Sequence, residues 1–195
     1  IPPKNGLSFS ENFFYMCFGK VPKKEIVKAF DVSLILYAEH SFNVSTFTAR
    51  TITSSLSDIY GAITGAIASL KGPLHGGANE EVMQMLKKIK KPENAKKWIL
   101  NALDKKKLIM GFGHRVYTKG DSRVPTMRKY YYKVAELLNE KKLPKISQII
   151  ENVMVEKKNI HPNVDYPTGP TYHLMGFDTD FFTPIFVMSR IIGWS

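Results

Sequence analysis

The chain has 195 residues, 44% hydrophobic and 23% charged, enough to bury the core of one domain or parts of two. Its 28 Lys and Arg against 17 Asp and Glu give a formal net charge of +11, and no apolar run approaches the ~20 residues of a membrane span. A lone cysteine, Cys17, excludes an internal disulfide and a thiolate metal cluster, and fits a reducing compartment.

Prolines at 2, 3 and 22 punctuate the start, and Cys17 within Phe13–Phe18 reads as a buried, inert thiol. From Lys23 to Glu39, residues Ile26, Val27, Phe30, Leu34, Ile35 and Ala38 recur at helical spacing. Ser57 to Leu70 is rich in Ala and Gly, which predicts a helix able to approach another closely, central or intersubunit. Asn79 to Ile89 forms an amphipathic stripe, with Asn79 as its cap and Glu80 and Glu81 against its positive end. Pro92 suits the first position of the next helix. Lys107 to Met110 is the best candidate for a short extended piece. Further helices are predicted over 125–140, 145–157 and about 179–192, so the fold class is all-α. The absence of a glycine-rich phosphate loop after a strand argues against a dinucleotide fold.

Lysines cluster at 87–91, 96–97 and 105–107. Such stripes bind phosphate, and a basic helical binding module without catalysis is one reading. Solvated helix faces are the other, and no nucleic-acid motif supports the first. The chain does not begin with Met and stops at Trp194-Ser195, so both ends read as cuts through a longer protein.

Two histidines sit in glycine frames: Gly72-Pro-Leu-His75-Gly-Gly77 and Gly111-Phe-Gly113-His114. Glycine permits turns that a Cβ forbids and lets a ligand come close. His75 precedes a helix start, whose positive end disfavours imidazolium, so a neutral donor is expected there. Arg115 beside His114 acts in the same direction. Neutral imidazoles can stabilise an enolate oxygen or polarise a carbonyl. Arg123 and Arg190 offer forks for carboxylates. Asp165 reads as a loop carboxylate: a general base, or an Asx turn before Pro167. Arg190 alone also reads as a helix-surface residue, and His161 and His173 as structural. No HExxH pair or His/Cys spacing predicts a metal. Base, imidazoles and arginines together suit proton abstraction beside a carbonyl, followed by carbon–carbon bond formation.

These stretches, in this order, resemble the citrate synthase family: Tyr37–Thr46 around His40, Gly72–Glu80, Gly111–Tyr117, Asp121-Ser-Arg123, Asn163-Val-Asp165 and Ser189–Trp194. The resemblance implies an almost all-helical homodimer that condenses acetyl-CoA with oxaloacetate and water to citrate and coenzyme A. Asp165 matches the base, His75 the enol-stabilising residue and His114 the keto-polarising one. His40, Arg123 and Arg190 match oxaloacetate-binding positions. Leu74, the Leu108–Gly113 segment (Leu108, Ile109, Met110, Gly111 and Gly113) and Asn163 match the coenzyme A region. It implies no metal and no cofactor beyond the thioester substrate. Residues 1–76 would belong to a large domain, with its dimer-interface helix near 57–70. Residues 77–176 would form the small domain, and 177–195 would return to the large one.

The wording around His40 also resembles 2-methylcitrate synthases, which take propionyl-CoA. A citrate-cleaving lyase would need nucleotide-binding sequence. Ser122 stands where proline is more usual before Arg123. Thr118 stands where some members place a basic residue, leaving Lys119 for the coenzyme A phosphates. An arginine reaching into the partner's site would lie after Trp194, so this piece alone is expected to be inactive. The lysine bias suggests a mitochondrial matrix, with a bacterial cytoplasm as the alternative.

Overall fold

The computed structural model describes all residues except Arg115, Val116, Thr118 and Lys119. The readings placed on Arg115, Thr118 and Lys119 therefore lie outside the described residues. Among the described residues the chain forms α1 (Phe9–Phe18), α2 (Lys24–Ala38), α3 (Val44–Thr53), α4 (Ile59–Leu70), α5 (Ala78–Ile89) and α6 (Pro92–Asp104). Then follow α7 (Val124–Leu137), α8 (Lys142–Lys158), α9 (Asp165–Leu174), a 3-10 turn (Thr179–Phe181) and α10 (Phe182–Trp194). No strand forms among them, and no described helix is long and apolar enough to cross a membrane.

The caps explain several boundaries. Ser8 and Glu11 form a reciprocal capping box on α1, which Gly19 ends at φ 71°. Asn43 caps α3 through the Thr46 N–H at 3.0 Å, and Asp58 caps α4 through the Gly61 N–H at 2.8 Å. Pro92 opens α6 as expected.

Three elements differ from the sequence reading. Lys107–Met110 is irregular: the Lys107 N–H is taken by the Ala102 carbonyl of α6 at 2.9 Å, and the isolated sheet-like bridge nearby joins Phe112 to Pro162 instead. Asn79 is not a cap. It is the second residue of α5, fully buried, and Gly77 takes the cap position. Asp165 opens α9 and is not in a loop. Helix α9 contains Pro167, Gly169 and Pro170, which read locally as a turn. Packing overrides that signal, since a Cβ on Gly169 would lie 2.5 Å from the Asn79 carbonyl oxygen of α5. The threonine-rich α3 also escaped the periodicity reading. It packs on α4 through Ala49, Ala62 and Ala66.

The core gathers around α2, which touches α1, α7 and α10. Phe13, Phe14, Phe30 and Phe177 pack together at centroid separations of 5.1–5.7 Å. The clustered lysines of α5 and α6 and those at 105–107 are exposed, as solvated faces are. The far side of α4 exposes Ile59 and Tyr60, and Leu56 just before it is 95% exposed.

The C-terminal end of α2 is where the fold meets the site. A helix leaves its last carbonyls without intrahelical donors. Here the Arg123 Nη1 donates to the Leu36 carbonyl at 3.4 Å and the Arg190 Nε to the Tyr37 carbonyl at 2.6 Å. The Ser189 hydroxyl donates to the Leu34 carbonyl one turn earlier. A Cβ on Gly193 would overlap the Ala38 carbonyl oxygen, so only glycine lets α10 come this close. Gly193→Ala is expected to destabilise by about 1–3 kcal/mol through overpacking. The measurement is the denaturant midpoint, and an unchanged midpoint would mean that α10 can slide away freely.

Candidate active site

A cavity of about 790 Å³ lies between the end of α2, the start of α3, the turn before α5, the 108–114 segment, the start of α9 and one face of α10. All of the predicted positions line it. His75, His114 and Asp165 are there, with His40, Arg123 and Arg190. So are Leu74, Leu108, Ile109, Met110, Gly111, Gly113 and Asn163. His161 and His173 do not line it.

The glycine frame of His75 works differently from the sequence expectation. Gly72, Gly76 and Gly77 do not take positive φ angles. They give clearance instead: a Cβ on Gly76 would lie 2.6 Å from the Leu70 carbonyl oxygen, and one on Gly77 2.9 Å from that of Lys71. The turn thus folds back tightly onto the end of α4 and presents His75 to the cavity. Around His114 the first expectation holds, with Gly111 and Gly113 at φ 82° and 79°. That segment is pinned by Gly113 N–H to the His161 carbonyl at 2.8 Å and by Asn163 N–H to the Gly111 carbonyl at 2.9 Å.

The ring nitrogens of His75 are assigned by its neighbours. The Ser45 N–H donates to His75 Nε2 at 3.3 Å, and Ser45 Oγ lies 2.8 Å from the same nitrogen. A nitrogen accepting a main-chain N–H carries no proton, so neutral His75 holds its proton on Nδ1. Trp194 Nε1 in turn donates to Ser45 Oγ at 3.1 Å. Burial, and then the Arg190 charge, lowers the His75 pKa to about 4. The neutral state is therefore the expected one, with burial and the Arg190 charge both favouring it.

His40 and His114 meet Nε2 to Nε2 at 3.0 Å, so one donates and the other accepts. The Tyr117 N–H points at His114 Nδ1 at 3.4 Å, which favours the proton on His114 Nε2 and the acceptor role for His40. The Tyr117 ring lies tilted against both, at 4.4 and 5.4 Å between centroids. Burial first, then Arg123 and His114, lowers the His40 pKa to about 4. Burial also lowers that of His114, where Asp121 opposes and Arg123 assists.

Arg123 stands at the cap position of α7, and Asp121 grips it in two-point fashion: Nε to Oδ1 at 3.0 Å and Nη2 to Oδ2 at 2.7 Å. Asp121 Oδ2 also accepts the Val164 N–H at 3.0 Å, which couples the α7 and α9 starts. Arg190 is 1% exposed and stands over the Phe186 ring at 4.9 Å, so it is not a surface residue. Arg190 lines the cavity, and its Nη1 is buried without a hydrogen-bond partner among the described residues. Burial and the Arg123 charge lower its pKa to about 10, which leaves it cationic at neutral pH.

Asp165 completes the set. Burial, opposed by a Tyr37 hydrogen bond and by Arg123, raises its pKa to about 6. A carboxylate near neutrality, uncharged imidazoles and buried guanidinium forks in one cavity suit proton abstraction next to a carbonyl in a dicarboxylate-binding pocket. Among the described residues no cluster of three His, Cys, Asp or Glu could hold a metal ion.

Sequence reasoning missed Tyr37, Ser45, Asp121, Tyr117, Phe186 and Trp194 as parts of this site. Asp121 had a local signal, an acid two residues before an arginine at a helix start. Tyr117 stands only three residues after His114, whereas Tyr37, Ser45, Phe186 and Trp194 make their contacts across long stretches of chain.

The profile of the family described as citrate synthase, C-terminal domain, matches residues 1–195. The chain is 54% identical over 195 residues to the 2-methylcitrate synthase of Mycobacterium tuberculosis H37Rv, covering 100% of this chain and 50% of that protein. It is 52% identical over 195 residues to the citrate synthase of Mycolicibacterium smegmatis, covering 100% and 52%. The chain spans about half the length of these curated relatives. Among solved structures, the Thermoplasma acidophilum citrate synthase in ternary complex with carboxymethyl coenzyme A and oxaloacetate superposes with a TM-score of 0.92. That pair is 38% identical over 98% of this chain and 52% of the other. A chain matched along its whole length by that family's profile, and by relatives of this identity, belongs to the citrate synthase family.

Proposed function

We propose that the complete protein carrying this chain condenses an acyl-coenzyme A with oxaloacetate. The observation that carries this is one cavity holding Asp165, neutral His75 and His114, and the Arg123 and Arg190 forks. Asp165 takes a proton from the carbon beside the thioester carbonyl, and the Nδ1–H of His75 stabilises the enol oxygen. The enol carbon attacks the oxaloacetate keto carbon, which His114 polarises once its Nε2–H passes from His40 Nε2 to the keto oxygen. The new alkoxide takes a proton to give citryl-CoA, and water cleaves the thioester to citrate and free coenzyme A thiol. His40, Arg123 and Arg190 hold oxaloacetate. Leu74, Leu108–Gly113 and Asn163 form the wall for coenzyme A.

Acetyl-CoA is the acyl donor in the first reading, and propionyl-CoA in the second. Relatives named for each reaction match at 52% and 54% identity, so identity does not separate them. One methylene in an apolar pocket is worth only ~1–3 kcal/mol of discrimination. The test measures oxaloacetate-dependent thiol release by the complete protein with each thioester. Release with neither overturns the reading, and the ratio of the two kcat/KM values assigns the donor.

The domain division at 76 and 176 belongs to the same proposal, with Gly176 at φ 95° suited to a hinge. So does a homodimer through the exposed apolar face of α4. The Mycobacterium tuberculosis and Mycolicibacterium smegmatis relatives are bacterial, which favours a bacterial cytoplasm over the mitochondrial matrix that the lysine bias suggested.

The pH profile follows from the titrating groups. A base must be ionised and the imidazoles neutral. With His40 and His75 near 4 and Asp165 near 6, the acid limb belongs to Asp165. Turnover is expected to fall as pH drops through about 6. A limb near the ordinary carboxylate range would remove Asp165 from the base role.

A further inference from the structure

We propose that Tyr37 is a positioning residue for the Asp165 base: its phenol anchors one carboxylate oxygen and leaves the other for the substrate proton. The inference rests on the condensation reading above and adds a residue to it. Tyr37 Oη donates to Asp165 Oδ1 at 2.5 Å, across 128 residues of sequence. Oδ2 receives no hydrogen bond among the described residues.

The surroundings show an arranged contact. Tyr37 is fully buried, and its ring lies against Phe186 at 4.0 Å between centroids, so the phenol cannot swing away without opening the core. Its own carbonyl accepts Arg190 Nε at 2.6 Å. One residue thus sets the positions of two groups that line the cavity: the base through its side chain, the arginine through its main chain. On the other side of the carboxylate, Asn163 Oδ1 accepts the Asp165 N–H at 3.1 Å, which fixes the backbone at the start of α9.

The phenol also acts on the charge state of the base. A hydrogen bond to the ionised form favours that form. The charged groups facing Asp165 are Arg123 at the start of α7, Asp121 in the preceding loop and Arg190 on α10. The arginines favour ionisation, Asp121 opposes it, and burial opposes it most. Tyr37 is the largest of the favourable contributions. Burial and the neighbouring carboxylate push the Tyr37 pKa far above its ordinary value, so the phenol stays a donor throughout the working pH range.

Tyr37→Phe keeps the ring on Phe186 and removes only the hydroxyl. In the complete protein its acid limb is expected to move to higher pH. The loss of turnover relative to wild type should be about tenfold greater at pH 5.5 than at pH 8.5, the size expected for a base displaced from its ionised state. Tyr131→Phe is the control. It also deletes a buried phenol, one near Ser147 Oγ at 3.3 Å, and should leave the limb where it is. An unmoved limb in Tyr37→Phe, or an equal movement in Tyr131→Phe, overturns the proposal.

A second measurement avoids dependence on that variant's folding. Replacing all tyrosines by 3-fluorotyrosine makes each phenol a stronger donor and should move the limb to lower pH. No movement overturns the proposal. Carbon-13 titration of the Asp165 carboxyl in substrate-free protein separates this idea from the parent one, since it needs no turnover. An active wild type whose Asp165 titration is unchanged by Tyr37→Phe refutes the positioning role alone. A shifted titration in a wild type that releases no thiol refutes the condensation reading instead.

Discussion

Asp165→Ala is expected to lower turnover of the complete protein by about 10²–10⁴-fold, the usual scale for a lost general base. The Michaelis constant for oxaloacetate should change little, because the arginines and His40 remain. The reason lies in what surrounds the carboxylate. It opens α9 within the cavity, takes the Tyr37 phenol at 2.5 Å and is raised to about pKa 6 by burial. No other described carboxylate lines that cavity, so none can take its place. Unchanged turnover would move the base role elsewhere.

The same substitution has a stability signature of definite sign. The folded-state pKa of Asp165 lies above the ordinary value, so its proton is held more tightly in the folded state. That contribution is fully present below the ordinary carboxylate range and is lost as pH rises through about 6. His40 and His75 act oppositely. Their pKa values drop from 6.5 to about 4, so stability declines as pH falls through that interval. Asp165→Ala should therefore remove a decline in stability between roughly pH 4 and 6 and leave the imidazole effect in view. Denaturant midpoints across pH measure both.

Arg190→Met should raise the Michaelis constant for oxaloacetate by about 10–100-fold, the scale of one or two lost charge-assisted hydrogen bonds. Arg190 lines the cavity, and its Nη1 has no hydrogen-bond partner among the described residues, which leaves the guanidinium a donor for a carboxylate. Stability should respond far less. The guanidinium is desolvated and repelled by Arg123, which together lower its pKa to about 10. Removing such a charge offsets much of the lost hydrogen bond to the Tyr37 carbonyl. Arg190→Lys should not rescue binding, since an ammonium lacks the two-point geometry. An unchanged Michaelis constant would confine Arg190 to the helix contact.

Much of this site was legible because its parts sit in short motifs with local chemical meaning. His75 sits within the Gly72–Gly77 turn, His114 directly follows Gly113, and Arg123 lies at a helix start. Each lines the cavity. Tyr37 was not legible, because an aromatic residue on an apolar helix is ordinarily core. Its partner lies 128 residues away, and no local pattern carries that distance. Ser45 and Trp194 are likewise joined only by the folded chain, at 3.1 Å. Helix α9 failed for a different reason. Two prolines and a glycine gave correct local signals, and burial against α5 outweighed them.

The donors gathered at the end of α2 have a thermodynamic consequence. Immobilising a rotamer-rich side chain at a binding surface costs about 0.5–1.5 kcal/mol. Arg123 and Arg190 are already held by main-chain carbonyls at 3.4 and 2.6 Å, and Asp121 locks the first of them further. Their rotamer entropy is lost when the chain folds, not when a ligand arrives. A dicarboxylate would meet a preorganised pair of cations, and its binding entropy should be correspondingly less unfavourable than at a pocket of loose arginines.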